Sequence, residues 1–186
     1  MSNAREQILQ TTCDLMEKQG YHGTGLNEIV KESGAPKGSL YHYFPEGKEQ
    51  ITSEAVLQSG KATAERIKNG LSSSNNAAKA IHDFILNIAD HVESSGFAAG
   101  SPLTAVAMET ATQSERINSA CREAYTLLET AFKEKLLESG FTKLKAEELG
   151  TFITAAVEGG IILSRTYHSA NPLRTVAKHL QMLLSQ

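Results

Sequence analysis

Basic and aromatic side chains are concentrated in one short stretch of the chain, GAPKGSLYHYFPEGK, which spans residues 34–48. Lysine and serine side chains can donate hydrogen bonds to phosphate oxygens or to base edges, and a tyrosine hydroxyl can donate to phosphate. Gly38 would allow a ligand to approach the backbone closely. These residue types could therefore contact the phosphates and base edges of DNA if the surrounding helices present them on one surface.

The same stretch contains the signals of a helix-turn-helix. In TGLNEIVKESG, residues 24–34, Thr24 is the expected N-cap of a short helix and Gly34 its expected end. A second short helix is predicted over about 35–43, and Pro45 cannot continue it. In a helix-turn-helix the N-terminal residues of the second helix lie nearest the bases. A compact helical corner with solvated lysines and buried rings is the alternative that this pattern leaves open.

The helix that begins at Lys48 offers a second place for phosphate. A helix N-terminus carries partial positive charge and free N–H groups, so a lysine there creates a local phosphate site. Thr24, at the predicted N-cap of the earlier helix, could serve in the same way. The residues predicted to contact DNA are Thr24, Lys37, Gly38, Ser39, Tyr41, His42, Tyr43 and Lys48.

The overall charge of the chain does not indicate a nucleic-acid ligand. The 186 residues contain 18 Lys and Arg against 21 Asp and Glu, a net charge of −3. A DNA-binding protein of this composition must rely on where its positive charges lie rather than on their total. The sequence predicts that Lys37, Lys48, His22 and His42 lie near one surface.

Helical periodicity extends through almost the whole chain, and no alternating strand pattern is present. Apolar residues recur at helical spacing, for example at Ile81, Phe84, Ile85 and Ile88. The predicted fold is all-α, with about nine helices joined by short connections. The predicted segments are 4–19, 24–34, about 35–43, 48–69, one around 81–92, 103–110, 114–139, 145–168 and one that begins at Pro172.

The sequence lacks the motifs that mark other functional classes of protein. There is no nucleophile elbow, no His-Glu-x-x-His and no glycine-rich phosphate loop, so we expect no enzyme activity. His82 and His91 fall on roughly opposite faces of a helix and cannot share a metal, and Cys13 and Cys121 are expected to be small buried residues. We therefore expect no cofactor and no metal. No apolar run reaches the roughly 18 residues of a membrane span, so we expect a cytoplasmic protein without a membrane partner.

Residues 5–51, and within them GYHGTGLNEIVKESGAPKGSLYHYF, resemble the N-terminal signature of the TetR family of bacterial transcriptional repressors. The resemblance implies a three-helix DNA-binding domain over 1–47, with Phe44 as a hydrophobic plug, and a helical ligand-binding and dimerisation domain over 48–186. Most relatives place two residues between that phenylalanine and the lysine, whereas FPEGK places three. The register of Lys48 is therefore open.

The downstream segments GSPLTAVAMETA and VEGGIILS make the chain similar to a narrower branch of that family, the LmrA and YxaF type repressors. This resemblance implies a homodimer that binds a palindromic operator and is released by a small inducer, in this branch a flavonoid or another drug-like aromatic compound. A lipophilic cation or an acyl chain is the alternative inducer. A helical interaction module that does not bind DNA is the alternative from a different class.

The predicted inducer pocket is placed around the break FAAGSPLTAVAMETA and on the helices expected to face it. Methionine adapts its shape and aromatic rings stack, so these side chains suit a flat aromatic ligand, and Glu109 is a polar group among small apolar neighbours. The alternative for the apolar and aromatic residues is an ordinary place in the core, and for Glu109 it is a position on the surface. The pocket candidates are Phe84, Ile88, Leu103, Val106, Met108, Glu109, Tyr125, Leu128, Phe132 and Phe152.

The last two predicted helices are the candidates for the dimer interface. VEGGIILS has paired glycines that allow helices to approach closely, and apolar residues recur about every fourth position in the last helix, as a four-helix seam requires. Packing of these faces within one subunit is the alternative. The predicted interface residues are Gly159, Gly160, Leu163, Leu173, Val176, Leu180 and Leu184.

Overall fold

The computed structural model describes residues 4–185, and over this range the chain forms nine α-helices and no β-strand. The prediction of an all-α fold is therefore confirmed. The helices are α1 (Ala4–Gly23), α2 (Leu26–Ser33), α3 (Lys37–Tyr43), α4 (Lys48–Leu71), α5 (Ala77–Ser94), α6 (Pro102–Thr110), α7 (Glu115–Glu138), α8 (Lys143–Tyr167) and α9 (Asn171–Leu184).

Helix α1 is kinked at Gly20, whose backbone is non-helical with φ 75° and ψ 179°. The regular helix is thus interrupted at Gly20, where the sequence predicts its end, and a further short helical piece extends α1 to Gly23. The prediction that Thr24 caps α2 is wrong, because Gly25 occupies the N-cap. The buried Thr24 hydroxyl turns inward and donates to the carbonyl of Gly20 at 2.8 Å. It satisfies a carbonyl that the kink leaves without its usual helical N–H partner.

The turn between α2 and α3 is formed by a glycine and a proline. Gly34 ends α2 in the left-handed conformation, with φ 64°, and its N–H donates to the carbonyl of Lys31 at 3.4 Å. Pro36 is the N-cap of α3, so this helix begins at Lys37, slightly later than predicted. Proline suits a helix start because its φ is already restricted and the missing N–H would have no helical acceptor there.

Two compact units make up the structure. One contains the described residues of Met1–Lys61 together with Ser101–Ala124, and the other contains Ala62–Gly100 with the described residues of Tyr125–Gln186. The predicted boundary between residues 47 and 48 follows the sequence motif, whereas these units follow helix packing. Helices α4 and α7 each contribute to both units.

The first unit has its own apolar core beneath α3. Helix α1 packs against α2, α3 and α6. Phe44, the predicted plug, is completely buried just after α3. Hydrophobic burial on this scale makes these short helices stable, since helices of such length are marginal by themselves. The buried members of this cluster are Ile8, Leu9, Cys13, Ile29, Ala35, Leu40, Phe44, Ile51 and Ala55.

The second unit is built around α9, which packs along both α5 and α8. Gly160 allows the close approach of α8 to α9, because a side-chain Cβ at this position would lie 2.9 Å from the Cδ2 of Leu173. Leu173 and Leu180 are buried on the inner face of α9. Among the helices of residues 4–185, none is both long and apolar enough to cross a membrane.

Both cysteines are buried, as the sequence predicts. Burial raises the pKa of the Cys13 thiol to about 12 and that of Cys121 to about 11. The Cys13 thiol donates to the carbonyl of Ala55 at 3.2 Å. Both side chains are therefore protonated at neutral pH and act as small packing residues.

Candidate nucleic-acid interface

Helix α3 has one buried face and one exposed face. Leu40 points into the core and is fully buried, whereas Tyr41, one position later, is 48% exposed. Lys37 and His42 of this short helix are exposed as well. The 3.6-residue period separates these two sets, so burial of the apolar positions leaves a lysine, a histidine and a tyrosine exposed. A surface of this composition can donate hydrogen bonds to phosphate and to base edges.

Lys48 is the first residue of α4, and its ammonium group lies 4.2 Å from the centre of the Tyr21 ring. A cation above an aromatic face is attracted by the negative potential of the ring. Partial burial lowers the pKa of Lys48, and the nearby carboxylate of Glu109 opposes that effect. The structure therefore gives this lysine a defined position at a helix N-terminus, where anions bind most readily.

The extra residue in FPEGK is accommodated in a turn between Phe44 and Gly47. Gly47 adopts φ 74°, in the left-handed region that favours glycine, and its N–H donates to the carbonyl of Phe44 at 3.0 Å. This turn brings the chain into α4 so that Lys48 starts the helix. A turn that Gly47 makes possible thus sets the place of Lys48 in the helix, and its register on a DNA phosphate stays a prediction.

The remaining residues predicted to contact DNA differ in exposure. Gly38 is exposed, and a Cβ at this position would have no protein atom within 4 Å, so its surface is open. Ser39 is partly buried, and Tyr43 packs in part against the core of the first unit. Thr24 is fully buried with its hydroxyl already bound to a carbonyl, so it is corrected from a phosphate ligand to a residue that stabilises the kink.

Two further residues lie beside Lys48. The sequence patterns did not predict a role for the first and predicted a different place for the second. Tyr21, which supports the lysine, is absent from the predicted contacts. Glu109, predicted for the inducer pocket, instead accepts a hydrogen bond from the backbone N–H of His22 at 2.9 Å. Its carboxylate lies against Gly20, in the first unit. No local pattern could have paired these residues, because the hydrogen bond spans 87 positions of the chain.

The residues predicted for the inducer pocket are divided between the two units. The α6 residues belong to the first unit, where Leu103 and Val106 are buried and Met108 is 76% exposed. In the second unit, the rings of Phe84 and Phe132 make an edge-to-face contact with centres 6.1 Å apart. Leu128 is buried, whereas Ile88 and Tyr125 are partly buried. Phe152 is 53% exposed on α8, outside any core.

An open apolar groove lies between α8 and α9 in the second unit and has a volume of about 710 Å³. Gly159, Gly160, Leu163 and Val176 line it, as does Tyr167. The predicted interface residues Leu173, Leu180 and Leu184 do not contribute. They are buried within the subunit, because the leucines of α9 that recur at helical spacing pack inward. The apolar residues left exposed beside this groove are Phe152, Leu163 and Tyr167 on α8 and Met182 and Leu183 on α9.

Comparison with known proteins identifies both regions of the chain. Residues 8–55 match the family model described as bacterial regulatory proteins, tetR family. Residues 77–179 match the model described as transcriptional regulator LmrA/YxaF-like, C-terminal domain. The chain is 42% identical to the HTH-type transcriptional regulator YxaF of Bacillus subtilis (strain 168) over 182 residues, which cover 98% of this chain and 95% of that protein. It is 38% identical to the HTH-type transcriptional regulator LmrA of the same strain, over 99% of this chain and 98% of that protein.

Solved structures show the same fold. The reduced form of NemR from E. coli superposes with a TM-score of 0.86 at 22% identity, covering 96% of this chain and 95% of that one. A TetR transcriptional regulator from Legionella pneumophila superposes with a TM-score of 0.80 at 22% identity, covering 98% of each chain.

Proposed function

The chain belongs to the TetR family of bacterial transcriptional regulators, and from that premise we propose that it is a homodimeric repressor. It binds a palindromic operator through α3 and the start of α4. A small, flat aromatic molecule of the flavonoid or drug-like class releases it from the DNA. Two recognition helices in a dimer read two half-sites about one turn of DNA apart, or a multiple of it.

The observation that carries the DNA-binding half is the division of α3 into two faces. Leu40 is buried while Lys37, Tyr41 and His42 face solvent, and Lys48 stands at the helix that follows. These side chains have no role in the core, yet they supply the donors that phosphate and base edges require. The net charge of −3 does not oppose this, because binding depends on local rather than total charge.

The test uses fluorescence anisotropy on duplexes from upstream of the gene that encodes this protein, at several salt concentrations. Lys37→Ala is expected to weaken binding at least about tenfold, since a contact of an exposed lysine to a base edge or phosphate contributes on this scale. If Lys37 contacts phosphate, the slope of log affinity against log salt falls by about one for each copy in the dimer.

Lys143→Ala is the matched control for this experiment. It removes the same charge from an exposed position at the start of α8, in the second unit. Its operator affinity is expected to equal that of the wild type within about twofold. Equal losses in both variants would show that the total charge, not the position of Lys37, determines binding. Failure to bind either these duplexes or any duplex selected from a random pool would contradict the proposed function.

Gly38→Ala separates stability from recognition. The added methyl group meets no protein atom within 4 Å, so folding tolerates it. Alanine in place of glycine is expected to raise the free energy of unfolding by up to about 1 kcal/mol, because it favours the helix. If DNA approaches this backbone, the same methyl group is expected to lower operator affinity about tenfold. Chemical denaturation and anisotropy measure the two effects, and unchanged affinity would place Gly38 outside the interface.

The inducer proposal rests on the match to the LmrA/YxaF-like domain and on the aromatic residues of the second unit. Phe84 and Phe132 form an edge-to-face pair there, and rings of this kind offer flat ligands favourable contacts. Adding a panel of flavonoids to the protein–DNA complex tests it. Release by a planar phenolic compound supports the proposal, whereas release only by a lipophilic cation or an acyl chain favours the alternative inducer.

The dimer proposal rests on the groove between α8 and α9. Its lining is mainly apolar, and Phe152, Leu163 and Tyr167 remain exposed along α8. Exposed apolar residues grouped on one face mark a surface that a partner covers. A second copy of the same helices would pair by two-fold symmetry, with the glycines allowing close approach. We therefore assign Phe152 to this surface rather than to the inducer pocket.

A further inference from the structure

We propose that Glu109 is a positioning residue for the DNA-binding surface. Its carboxylate holds the backbone of α1 at the kink, and thereby holds the Tyr21 ring and the Lys48 ammonium in the position from which the lysine binds operator phosphate. This inference rests on the proposed function, which it deepens by naming a residue outside the helix-turn-helix. Every residue involved lies in the first unit.

The first step is the contact between α6 and the kink of α1. Glu109 Oε2 accepts a hydrogen bond from the N–H of His22 at 2.9 Å. Its other oxygen occupies the space that a side chain at residue 20 would take, so any Cβ on Gly20 would collide with the carboxylate. Gly20 is also in the left-handed region, with φ 75°. Two independent features thus require glycine here, and the missing side chain is what leaves room for Glu109.

The second step leads from the backbone to the lysine. Tyr21 lies between Gly20 and His22, the two residues that the carboxylate contacts. The orientation of its ring therefore depends on the backbone that Glu109 holds. The Lys48 ammonium lies 4.2 Å from the centre of that ring. Without the carboxylate, the N–H of His22 would lose this acceptor. The backbone that orients the Tyr21 ring would then no longer be held in place.

The direction in which operator affinity changes when Glu109 is replaced distinguishes a positioning role from a purely electrostatic one. A carboxylate near a phosphate-binding lysine repels DNA, so electrostatics alone predicts that its removal strengthens binding. Positioning predicts the opposite for a variant that also loses the hydrogen-bond acceptor. Glu109→Gln and Glu109→Ala remove the same charge, but only glutamine keeps an oxygen that can accept from the N–H of His22. The comparison between these two variants therefore isolates the hydrogen bond.

The experiment measures operator affinity for the wild type, Glu109→Gln and Glu109→Ala, with chemical denaturation in parallel. Glu109→Ala is expected to bind the operator at least about fivefold more weakly than Glu109→Gln. Only the alanine variant loses the hydrogen bond from the N–H of His22 to the side chain of residue 109. In a Lys48→Ala background the difference is expected to shrink to less than about twofold, since Glu109 acts through Lys48. Equal affinities of the two Glu109 variants, or an undiminished difference without Lys48, would overturn the proposal.

A second measurement does not depend on DNA. In the wild type, the side-chain protons of Lys48 next to the ammonium group are expected to show an upfield NMR shift from the Tyr21 ring. Glu109→Ala is expected to lose most of that shift, and Glu109→Gln to keep it. An unchanged shift in a folded Glu109→Ala variant would contradict the positioning role. A lost shift in a protein that binds no duplex would contradict the proposed function and leave the positioning intact.

Discussion

Leu163→Glu is expected to convert the protein into a monomer and to lower its affinity for a palindromic operator at least about 100-fold. Leu163 is 44% exposed on α8 and lines the apolar groove together with Gly159 and Tyr167. A glutamate there would place two like charges at the centre of a symmetric interface, where neither has a partner. A monomer must bind each half-site separately and loses the high effective concentration that the second site gains from the first.

Leu144→Glu is the control for this experiment. Leu144 is 68% exposed on the same helix but does not line the groove, so the same substitution there tests the effect of an added charge alone. Analytical ultracentrifugation gives the oligomeric state, and anisotropy gives the operator affinity. We expect the Leu144 variant to stay dimeric and to bind like the wild type. A dimeric Leu163→Glu protein that still binds the operator would show that the groove is not the dimer interface.

Phe44→Ala is expected to destabilise the first unit by about 3–5 kcal/mol, the usual cost of removing a fully buried phenylalanine. Phe44 is completely buried among apolar residues of α1–α4, and the guanidinium of Arg5 lies 5.5 Å from its ring centre. Since a domain is stable by only about 5–15 kcal/mol in total, this loss is a large fraction of its stability. Urea denaturation followed by circular dichroism measures it.

Tyr41→Ala is the matched substitution of an exposed aromatic residue in the same segment. Tyr41 is 48% exposed, so its removal is expected to change the free energy of unfolding by less than about 1 kcal/mol. Operator affinity is expected to fall in this variant even though the fold is intact. The pair therefore separates the two roles of aromatic residues around α3. A Phe44→Ala protein as stable as Tyr41→Ala would contradict the assignment of Phe44 as the plug of this core.

Sequence patterns were most successful where a signal is local. Gly34, Pro36 and Pro45 delimit α3 through backbone geometry. Phe44, which the family resemblance implies as a hydrophobic plug, is fully buried. The same reasoning failed at Thr24. A threonine before a helix usually caps it, but the kink at Gly20 offered this hydroxyl a carbonyl, and Gly25 became the cap instead. Capping propensity predicts that the Thr24 hydroxyl binds an N–H of α2. The nearby carbonyl of Gly20 determines what the hydroxyl binds instead.

The α9 leucines show a second limit of periodicity. A stripe at helical spacing predicts that one face of α9 is covered, but it does not say whether the same subunit or a second one covers it. In the structure α5 and α8 cover Leu173 and Leu180. Exposed apolar residues remain on both helices, Leu163 and Tyr167 on α8 and Met182 and Leu183 on α9. Only the packing of helices distant in sequence separates the internal seam from the surface available to a partner.

The sequence by itself determined the all-α fold, the helix-turn-helix segment and the family, because these depend on helix periodicity, turn residues and a dense local motif. Tertiary structure alone decided the place of Glu109, which pattern reasoning assigned to the inducer pocket and the fold brings to His22 across 87 positions. It also placed Lys48 above the ring of Tyr21. Short-range signals act through backbone geometry within a few residues, whereas such contacts arise only when helices far apart in the chain bury a common core.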